Sequence, residues 1–352
     1  MRNKSHQLFY SIKALIDEAR NQVVRNVNCI ITLTYYEIGQ RIVVSEQKGN
    51  TRAGYSEGVL EHLSDRLTKE FGKGFSVDNL ERFRKFYLFY RDRISASPVR
   101  KSISSPKSAS RLRISDNDFR QKFKLSWTHY SILIKIEDHN ERTFYEIEAF
   151  NNNWSIREFQ RQLNSALFER LAISKDKASL KKLAKKGQVI EQPLDALKSS
   201  FVLEFLNLKE ERSYSENDIE TAIIDKLETF MLELGKGFLF EGRQKRFTIE
   251  GDSFFVDLVL YNRLLRCYVI IDLKIGKLAH QDIGQMQMYV NYYDRKIKLP
   301  DENATIGIVL CKEENKAVVE FTLPEGNKTI FARQYKLYLP NKEDLKRQIE
   351  GK

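Results

Sequence analysis

No stretch of this sequence is long and apolar enough to predict a membrane span. A spanning helix needs about 20 consecutive apolar residues. The chain, whose first residues read MRNKSHQLFYSIKALIDEAR, contains no such run and no apolar leader core. We therefore expect a cytoplasmic protein without a membrane partner.

Cysteine is scarce as well. The three thiols, Cys29, Cys267 and Cys311, lie far apart, and none has CxxC spacing. This pattern argues against a disulfide framework or a zinc site and is typical of a reducing compartment. Because Cys267 and Cys311 lie in apolar, strand-like runs, we predict that both are buried and chemically inert.

What the chain has in excess is positive charge. It contains 59 Lys and Arg against 48 Asp and Glu, which gives a formal net charge of +11. The 41% of hydrophobic residues suffices for packed cores, and 352 residues predict about two domains. Excess positive charge favours a polyanionic partner, nucleic acid before an anionic membrane, over a merely soluble basic surface.

Residues 1–175 are predicted to form a mainly helical domain. Leu8, Ile12, Leu15 and Ile16 share one face at helical spacing. A second helix over 58–71, a glycine-containing break and a third helix over 77–90 then predict a helix–turn–helix arrangement.

The third of these helices carries polar residues that suit nucleic acid. Asn79, Arg82, Arg84 and Lys85 lie among its aromatic residues, and such a helix can enter a DNA groove or contact phosphates. A solvated basic face above an aromatic core explains the same residues equally well, because helix–turn–helix geometry has a weak sequence signal.

Two segments interrupt the helical pattern. Residues 94–115 contain eight serines, two prolines and five Lys or Arg but no acidic residue, a composition that predicts a flexible insertion. Residues 176–200 include a lysine-rich stretch and are predicted to link the helical domain to a second domain over 201–352.

The second domain is predicted to be α/β. Ser215 begins a helix that continues to about Leu234, and Asp218 is placed as in a capping box. Strand-like runs follow at 243–249, 253–261 and 266–275, then a helix over about 281–295 and a strand over 305–311. This order indicates an antiparallel meander that continues into alternating helix and strand.

Acidic residues inside the apolar strands are the strongest functional signal. Asp257 lies in FFVDLVLY and Asp272 in VIIDLKI, where an ionised carboxylate is costly unless a cation, a metal or several donors compensate it. Asp272 and Lys274 point to the same face of their strand. A hairpin turn within 262–265 places Asp257 opposite residue 270, which makes Asp272 its diagonal neighbour.

Two carboxylates and a lysine on one sheet face suit metal-assisted phosphodiester hydrolysis. Mg²⁺, or Mn²⁺ in its place, prefers oxygen ligands, so Asp257, Asp272 and the backbone carbonyl of Leu273 are the predicted ligands. Lys274 is expected to stabilise developing negative charge or to position the attacking water. The alternative is a buried Asp–Lys pair that only fixes the strand register. No small organic cofactor is expected.

The flanking helices offer further polar residues. Glu220 lies at the margin of an apolar stripe, where it either completes the metal shell or is a surface acid, with Glu228 as the fallback. On the later helix Gln285 and Tyr289 share a face, in a row that Gln281 extends. They either face the scissile phosphate or belong to an ordinary amphipathic helix.

The order Glu220, Asp257, Asp272-Leu273-Lys274 and Gln285-x-x-x-Tyr289 resembles the core of the PDDEXK (restriction-endonuclease-like) nucleases, with a tail similar to the RecB-type branch. The segments LELGKGFLFEGRQKRF, FVDLVLYNRLLRCYVIIDLKIGK and GQMQMYVNYYD resemble the C-terminal domain of bacterial YhcG-like proteins more closely. YYEIGQRIV and LSDRLTKEFGKGFSVDNLERFRKFY resemble the N-terminal domain of that family.

This resemblance implies a restriction-endonuclease-like mixed sheet flanked by helices, preceded by a winged-helix-like DNA-binding domain. It implies that Asp257 and Asp272 bind the divalent metal and that Glu220 completes or orients the site. Lys274 would assist the attacking water, while Gln285 and Tyr289 would shape the substrate side. One position departs from the family pattern, because the usual glutamate of the tripeptide is here Asp272, which is one methylene shorter.

The sequence therefore predicts a bacterial, Mg²⁺-dependent deoxyribonuclease that acts in restriction, in defence against mobile DNA or in repair. DNA is its expected partner, and a second copy of the chain is a further one. The alternative is a DNA-binding or assembly subunit with a degenerate nuclease fold, which the departure at Asp272 keeps open. A structural RNA-binding protein is a distant third reading, because no RNP-type aromatic motif supports it.

Overall fold

The computed structural model describes residues 2–48, 53–95, 122–173, 177–208 and 214–350. The chain divides into two compact units, Met1–Phe159 and Gln160–Lys352. The predicted insertion at 94–115 lies outside the described residues except for its first two positions, which end a helix. None of the helices in the described ranges is long and apolar enough to span a membrane.

The described part of the first unit consists of helices joined by turns and loops. Its helices are α1 (Arg2–Lys48), α2 (Ala53–Phe71), α3 (Val77–Ser95), α4 (Trp127–Leu133) and α5 (His139–Asn151), and α6 (Ile156–Asn164) crosses into the second unit. The predicted break between α2 and α3 is present, and Asn79 N donates to Ser76 Oγ at the start of α3. No strand occurs in the described part of this unit, so a wing is not among those residues.

Aromatic side chains form the core of the first unit. The rings of Phe86 and Tyr130 lie 5.1 Å apart, and those of Phe83 and Trp127 lie 5.2 Å apart. The backbones of α1 and α3 approach closely at Gly39, where a Cβ atom would lie 2.0 Å from the carbonyl oxygen of Phe83. Glycine is required there because any side chain would force the two helices apart.

The N-terminal half of α1 does not join this core. The predicted apolar face is present on the helix, but Leu8, Ile12, Leu15 and Ile16 are 46–67% exposed. Farther along the same helix, Leu33, Tyr36 and other apolar residues are buried.

The second unit contains a six-stranded sheet with helices. Its elements, in chain order, are α7 (Leu167–Ala172), α8 (Lys177–Lys186), β1 (Ser200–Val202), α9 (Glu216–Asp225), α10 (Leu227–Leu234), β2 (Phe238–Ile249), β3 (Asp252–Asn262), β4 (Cys267–Lys277), α11 (His280–Tyr292), β5 (Ile306–Glu313), α12 (Lys316–Thr322), β6 (Ile330–Lys336) and α13 (Lys342–Glu350). The range 176–200, predicted as a linker, contains α8 and the 3₁₀ turn Pro193–Ala196.

The sheet is mixed, with strand order β1-β6-β5-β4-β3-β2. Strands β2, β3 and β4 form the predicted antiparallel meander, whereas β4, β5, β6 and β1 pair in parallel. The turn between β2 and β3 contains only Glu250 and Gly251, with φ of 50° and 95°. Two positive φ angles give the turn the twist that a two-residue hairpin needs, and glycine adopts such an angle without strain.

Both faces of the sheet are covered by helices. On one face, Ile219 and Ile223 of α9 and Phe230 of α10 pack into an apolar cluster with β3 to β6. On the other face, Ile283 and Met286 of α11 belong to a second cluster. The strands β4 and β5 and the second half of β3 are therefore buried on both sides, which explains their nearly continuous apolar sequences.

Three sequence predictions need correction in this unit. The helix predicted from Ser215 to Leu234 is two helices, because the backbone leaves the helical region at Lys226. The first strand begins at Phe238 instead of residue 243. The register between β3 and β4 pairs Leu258 with Ile271, which brings Asp257 level with Asp272 and not with residue 270. The capping box is confirmed, because Asp218 N donates to Ser215 Oγ and Asp218 Oδ2 accepts from Ser215 N.

Candidate active site

The predicted acidic residues of α9, β3 and β4 meet on the second unit. Asp257 lies in the middle of β3, and Asp272 lies at the level of Asp257 on the neighbouring strand β4. The Asp257 carboxylate accepts a hydrogen bond from the backbone N–H of Leu273 through Oδ2, at 2.8 Å. This contact ties the carboxylate to the strand that carries Asp272 and Lys274.

Glu220 is joined to Asp257 through a glutamine of β2. Gln244 Nε2 donates to Glu220 Oε2 at 2.6 Å and to Asp257 Oδ1 at 3.1 Å. The backbone of Gln244 has φ of 46°, an angle uncommon for a residue with a side chain. Burial raises the pKa of Glu220, and the charge of Asp257 raises it further despite the hydrogen bond from Gln244.

Asp272 is the most deeply buried acid of the site, with 2% of its surface exposed. Burial raises its pKa to about 7, although the ammonium group of Lys274 opposes that rise. Lys274 Nζ lies 2.9 Å from Asp272 Oδ2 and 3.5 Å from Glu216 Oε2. Burial by itself lowers the pKa of Lys274, but the charge of Asp272 outweighs it and leaves the pKa above the ordinary value, so Lys274 is a cation.

On α11, Gln285 and Tyr289 contact each other as their spacing predicted. Gln285 Nε2 donates to Tyr289 Oη, and Tyr289 in turn donates to the carbonyl oxygen of Phe255 on β3 at 2.9 Å. Burial raises the pKa of Tyr289, and the charges of Asp272 and Asp257 raise it further. The tyrosine therefore stays neutral, and its hydroxyl accepts the hydrogen bond from Gln285.

The donor set suits a hard divalent cation. The groups gathered here are carboxylates, and the buried Asp272 Oδ2 has no hydrogen-bond partner among the described residues, although Lys274 lies beside it. No group of three His, Cys, Asp or Glu in the described ranges is arranged to hold a metal. Mg²⁺ is usually bound by one or two carboxylates together with water and phosphate oxygens, so Asp257 and Asp272 meet its requirement.

Two residues of the site were missed in the sequence. Glu216 lies four positions before Glu220 and therefore on the same face of α9, a spacing that points to it. Gln244 has no such signal, because only the positive φ and the hairpin register bring it between Glu220 and Asp257. The fallback Glu228 is exposed on α10, and Gln281 is exposed on α11.

The polar residues of α3 that were predicted to contact nucleic acid form hydrogen bonds and ion pairs within the first unit. Asn79 Nδ2 donates to the carbonyl oxygen of Gly74, and Arg84 forms a 2.8 Å ion pair with Glu46. Lys85 Nζ lies 2.7 Å from Glu137 Oε1. Arg82 is exposed and donates to Asn79 Oδ1 at 3.4 Å, while Phe83 and Phe86 are buried. The aromatic residues of α3 are core, and the role of its polar residues stays a prediction.

The cysteines and a surface cleft are further candidate features, and neither contains the acidic residues of the site or Lys274. The three cysteines are buried and free, as predicted for Cys267 and Cys311, and burial raises the pKa of both thiols to about 12. A cleft of about 370 Å³ between α11 and residues 323–330 contains none of the acidic residues described above. The acid–lysine cluster is therefore the candidate site on chemical grounds, not on the size of a cavity.

Comparison with known families places both halves of the chain. Residues 194–350 match the family described as the YhcG PDDEXK nuclease domain, and residues 11–170 match the DUF1016 N-terminal domain. The chain is 39% identical over 346 residues to the Escherichia coli (strain K12) protein named "Putative nuclease YhcG". That alignment covers 96% of this chain and 92% of that protein.

Solved structures give much weaker likenesses. The "crystal structure of a repair endonuclease from Pyrococcus abyssi" aligns with 38% of this chain at 19% identity and a TM-score of 0.25. The "Structure of EndoMS-dsDNA2 complex" aligns with 38% at 16% identity and a TM-score of 0.26. Each alignment spans 50% of the solved chain. Because the TM-scores are so low, nothing about this protein follows from either structure.

Proposed function

Because the chain belongs to the YhcG family of PDDEXK nucleases, we propose that it is a divalent-metal-dependent nuclease that hydrolyses phosphodiester bonds in DNA. The observation that carries the proposal is the meeting of Asp257, Asp272 and Lys274 on neighbouring strands, with Glu220 joined to them through Gln244. The net charge of +11 fits a polyanionic substrate. A cytoplasmic location remains the prediction from the isolated cysteines.

Asp257 and Asp272 are the residues that would hold the cation, together with the carbonyl oxygen of Leu273. When bound, Mg²⁺ or Mn²⁺ polarises the scissile phosphate and activates a water for in-line attack. The hydrogen bond from Leu273 N fixes the Asp257 carboxylate, so little side-chain freedom is lost when a ligand binds. Glu220 would orient a water ligand of the cation from the α9 side.

Lys274 supplies the fixed positive charge of the site. Its ammonium group is held between Asp272 and Glu216, only 17% exposed, and stabilises negative charge that develops on the phosphate. Gln285 is hydrogen-bonded to Tyr289, whose hydroxyl interacts with the charges of Asp272 and Asp257, and this contact limits the rotation of Gln285. In this arrangement Gln285 positions the scissile phosphate or the attacking water, and Tyr289 positions Gln285.

Gln244 is proposed to position both carboxylates for the metal. Replacing it with leucine removes the shared amide donor at nearly constant size, so Glu220 and Asp257 lose their common partner. We expect Mg²⁺ and Mn²⁺ affinity to fall about 10- to 100-fold, the usual cost of losing a group that orients metal ligands. Calorimetric titration of the DNA-free protein measures the affinity.

The matched control for this variant is Thr248→Val, which removes a hydrogen-bonding group from an exposed position on the same strand β2. We expect Thr248→Val to bind metal as the parent does. Unchanged metal affinity in Gln244→Leu would mean that the amide only bridges two acids in the absence of metal.

The function is tested with plasmid and linear DNA incubated with Mg²⁺, Mn²⁺ or a chelator. The proposal predicts cleavage with either cation and none with the chelator, because the carboxylates act through the bound ion. Competing RNA of equal length tests the preference for DNA. Absence of cleavage with both cations contradicts the proposal.

A second candidate function is a DNA-binding or assembly subunit with a degenerate nuclease fold. Two observations favour it: the shorter Asp272 stands where the family usually has glutamate, and the Gln244 amide lies between two of the acids. This candidate predicts salt-sensitive DNA binding without cleavage in any divalent metal. Measuring DNA binding and cleavage in the same metal titration separates the two functions.

A further inference from the structure

The N-terminal half of α1 presents a long apolar stripe that no described residue covers. Besides Tyr10, which lies off the stripe, ten large apolar side chains of this segment are 38–67% exposed. They are Leu8, Phe9, Ile12, Leu15, Ile16, Val23, Val24, Val27, Ile30 and Ile31. At 3.6 residues per turn they lie on one side of the helix. A continuous exposed stripe of this kind marks an interaction site, whereas scattered surface apolar residues do not.

The stripe is symmetric along the helix. Each stripe residue before the midpoint between Ala19 and Arg20 has an apolar counterpart at the same distance after that midpoint. The pairs are Leu8 with Ile31, Phe9 with Ile30, Ile12 with Val27, Leu15 with Val24 and Ile16 with Val23. In two identical antiparallel helices related by a two-fold axis at this midpoint, every one of these residues faces its counterpart.

The residues at the midpoint fit such a pairing. Ala19 lies on the stripe and is small, which allows the two helices to approach closely where they cross the axis. Asp17 and Arg20 lie together on one edge of the stripe. Like edges face each other in an antiparallel pair, so each Asp17 lies beside Arg20 of the other copy.

A parallel pair does not offer the same match. It would set the edge that carries Asp17 and Arg20 against the opposite edge, where Ser11 and Gln22 carry no charge and Glu18 would lie level with Asp17, a like charge. The segment 8–31 is about 36 Å long, and its apolar residues recur along that whole length on one side of the helix. The charges, the apolar pattern and the length of the segment therefore all favour a second copy of this chain as the partner.

We propose that the N-terminal half of α1 is a homodimer interface in which two copies of the chain pair antiparallel about the midpoint between Ala19 and Arg20. The proposal rests on the first unit alone and does not depend on nuclease activity. If the chain is a DNA nuclease, a two-fold dimer carries two active sites, which matches the two-fold symmetry of duplex DNA.

The oligomeric state of the full-length chain tests the interface. Light scattering during gel filtration at micromolar concentration is expected to give twice the mass of one chain. The double variant Ile16→Glu with Val23→Glu places charges on facing apolar positions and is expected to run as a monomer. The control Tyr10→Glu with Ala14→Glu adds the same charge at exposed positions off the stripe and is expected to stay dimeric. Circular dichroism checks that both variants retain their helical content.

Disulfide cross-linking tests the direction of pairing. A chain with Ile12→Cys mixed with a chain with Val27→Cys is expected to form an inter-chain disulfide on oxidation, and neither chain alone is expected to do so. The native cysteines are buried and contribute little background. Cross-linking of Ile12→Cys with itself would overturn the antiparallel arrangement. A monomeric parent chain would overturn the interface and leave the stripe to another protein, a lipid surface or a further segment of the same chain.

Discussion

Replacing Asp257 with asparagine is expected to reduce metal-dependent DNA cleavage by at least about 100-fold, in line with the loss of one preorganised electrostatic group at a reacting centre. Asparagine has the same shape, and its carbonyl oxygen can still accept the hydrogen bond from Leu273 N. It lacks the negative charge that attracts the cation. Single-turnover cleavage at saturating protein measures the effect, and calorimetric titration measures the accompanying loss of metal affinity.

The fold should survive this substitution, because Asp257 is only partly buried and asparagine keeps the hydrogen bond from Leu273 N, so only the exposed contact with Gln244 is lost. Thermal unfolding of Asp257→Asn is therefore expected to resemble that of the parent. Asp252→Asn serves as the matched control, since Asp252 is exposed at the start of the same strand. If Asp257→Asn cleaved DNA at the parental rate, Asp257 would have no part in the mechanism.

Replacing Lys274 with methionine is expected to reduce the cleavage rate by about 10²- to 10³-fold, because the site loses the cation that stabilises charge on the phosphate. The variant should also change the pH dependence of metal binding. In the parent, burial raises the pKa of Asp272 to about 7 and the charge of Lys274 opposes the rise. Without that charge the pKa of Asp272 rises further.

The sign of the pH effect follows from competition between a proton and the cation. A carboxylic acid must lose its proton to bind a metal, so a higher pKa moves the onset of metal binding to higher pH. Lys274→Met is therefore expected to bind Mg²⁺ more weakly than the parent at pH 7 and to recover as the pH rises above 8. Titrations across this pH range, without DNA, measure the shift.

Lys277→Met is the control for this experiment, because Lys277 is exposed on the same strand β4 and loses the same charge outside the site. If Lys274→Met lowered cleavage but left the pH profile of metal binding unchanged, Lys274 would act on the phosphate alone. If neither changed, the ion pair with Asp272 would only fix the strands.

The resemblance to YhcG-like proteins and the α/β class of the second domain are both confirmed. Strands β3 and β4 were predicted correctly because they are apolar runs buried on both faces. Asp257 and Asp272 were identified because they are acids inside these runs. The capping box at Ser215 was readable because its hydrogen bonds join residues three positions apart. Both predictions rested on residues that lie close together in the sequence.

The sequence failed where the outcome depended on pairing between distant residues. The register of β3 with β4 differed by two positions from the predicted one, because a hairpin loop of uncertain length leaves the pairing open. Gln244 entered the site through a positive φ angle on β2 that no residue pattern announces. The break at Lys226 divided a helix whose apolar spacing continues on both sides of it.

A buried ionic cluster in the second unit shows the same limit. Glu233 is fully buried and forms ion pairs with Arg170 at 2.6 Å and with Lys198 at 3.4 Å, and Val202 N donates to it. Burial opposes ionisation, but the charge of Arg170 and its neighbours outweighs it and lowers the pKa of Glu233 to about 2. These partners lie tens of residues apart in the sequence, so nothing local indicates that this glutamate is internal.

The sequence by itself determined the helical class of the N-terminal region, the α/β class of the C-terminal region, the family and most residue types of the site, because periodicity, capping and acidic residues in apolar strands are local properties. Only the tertiary structure decided which carboxylates come within reach of one another, that Gln244 and Glu216 join them, and that the apolar face of α1 stays exposed. Contacts between distant segments depend on strand register and helix packing, and many registers satisfy the same local pattern while only one fills the core.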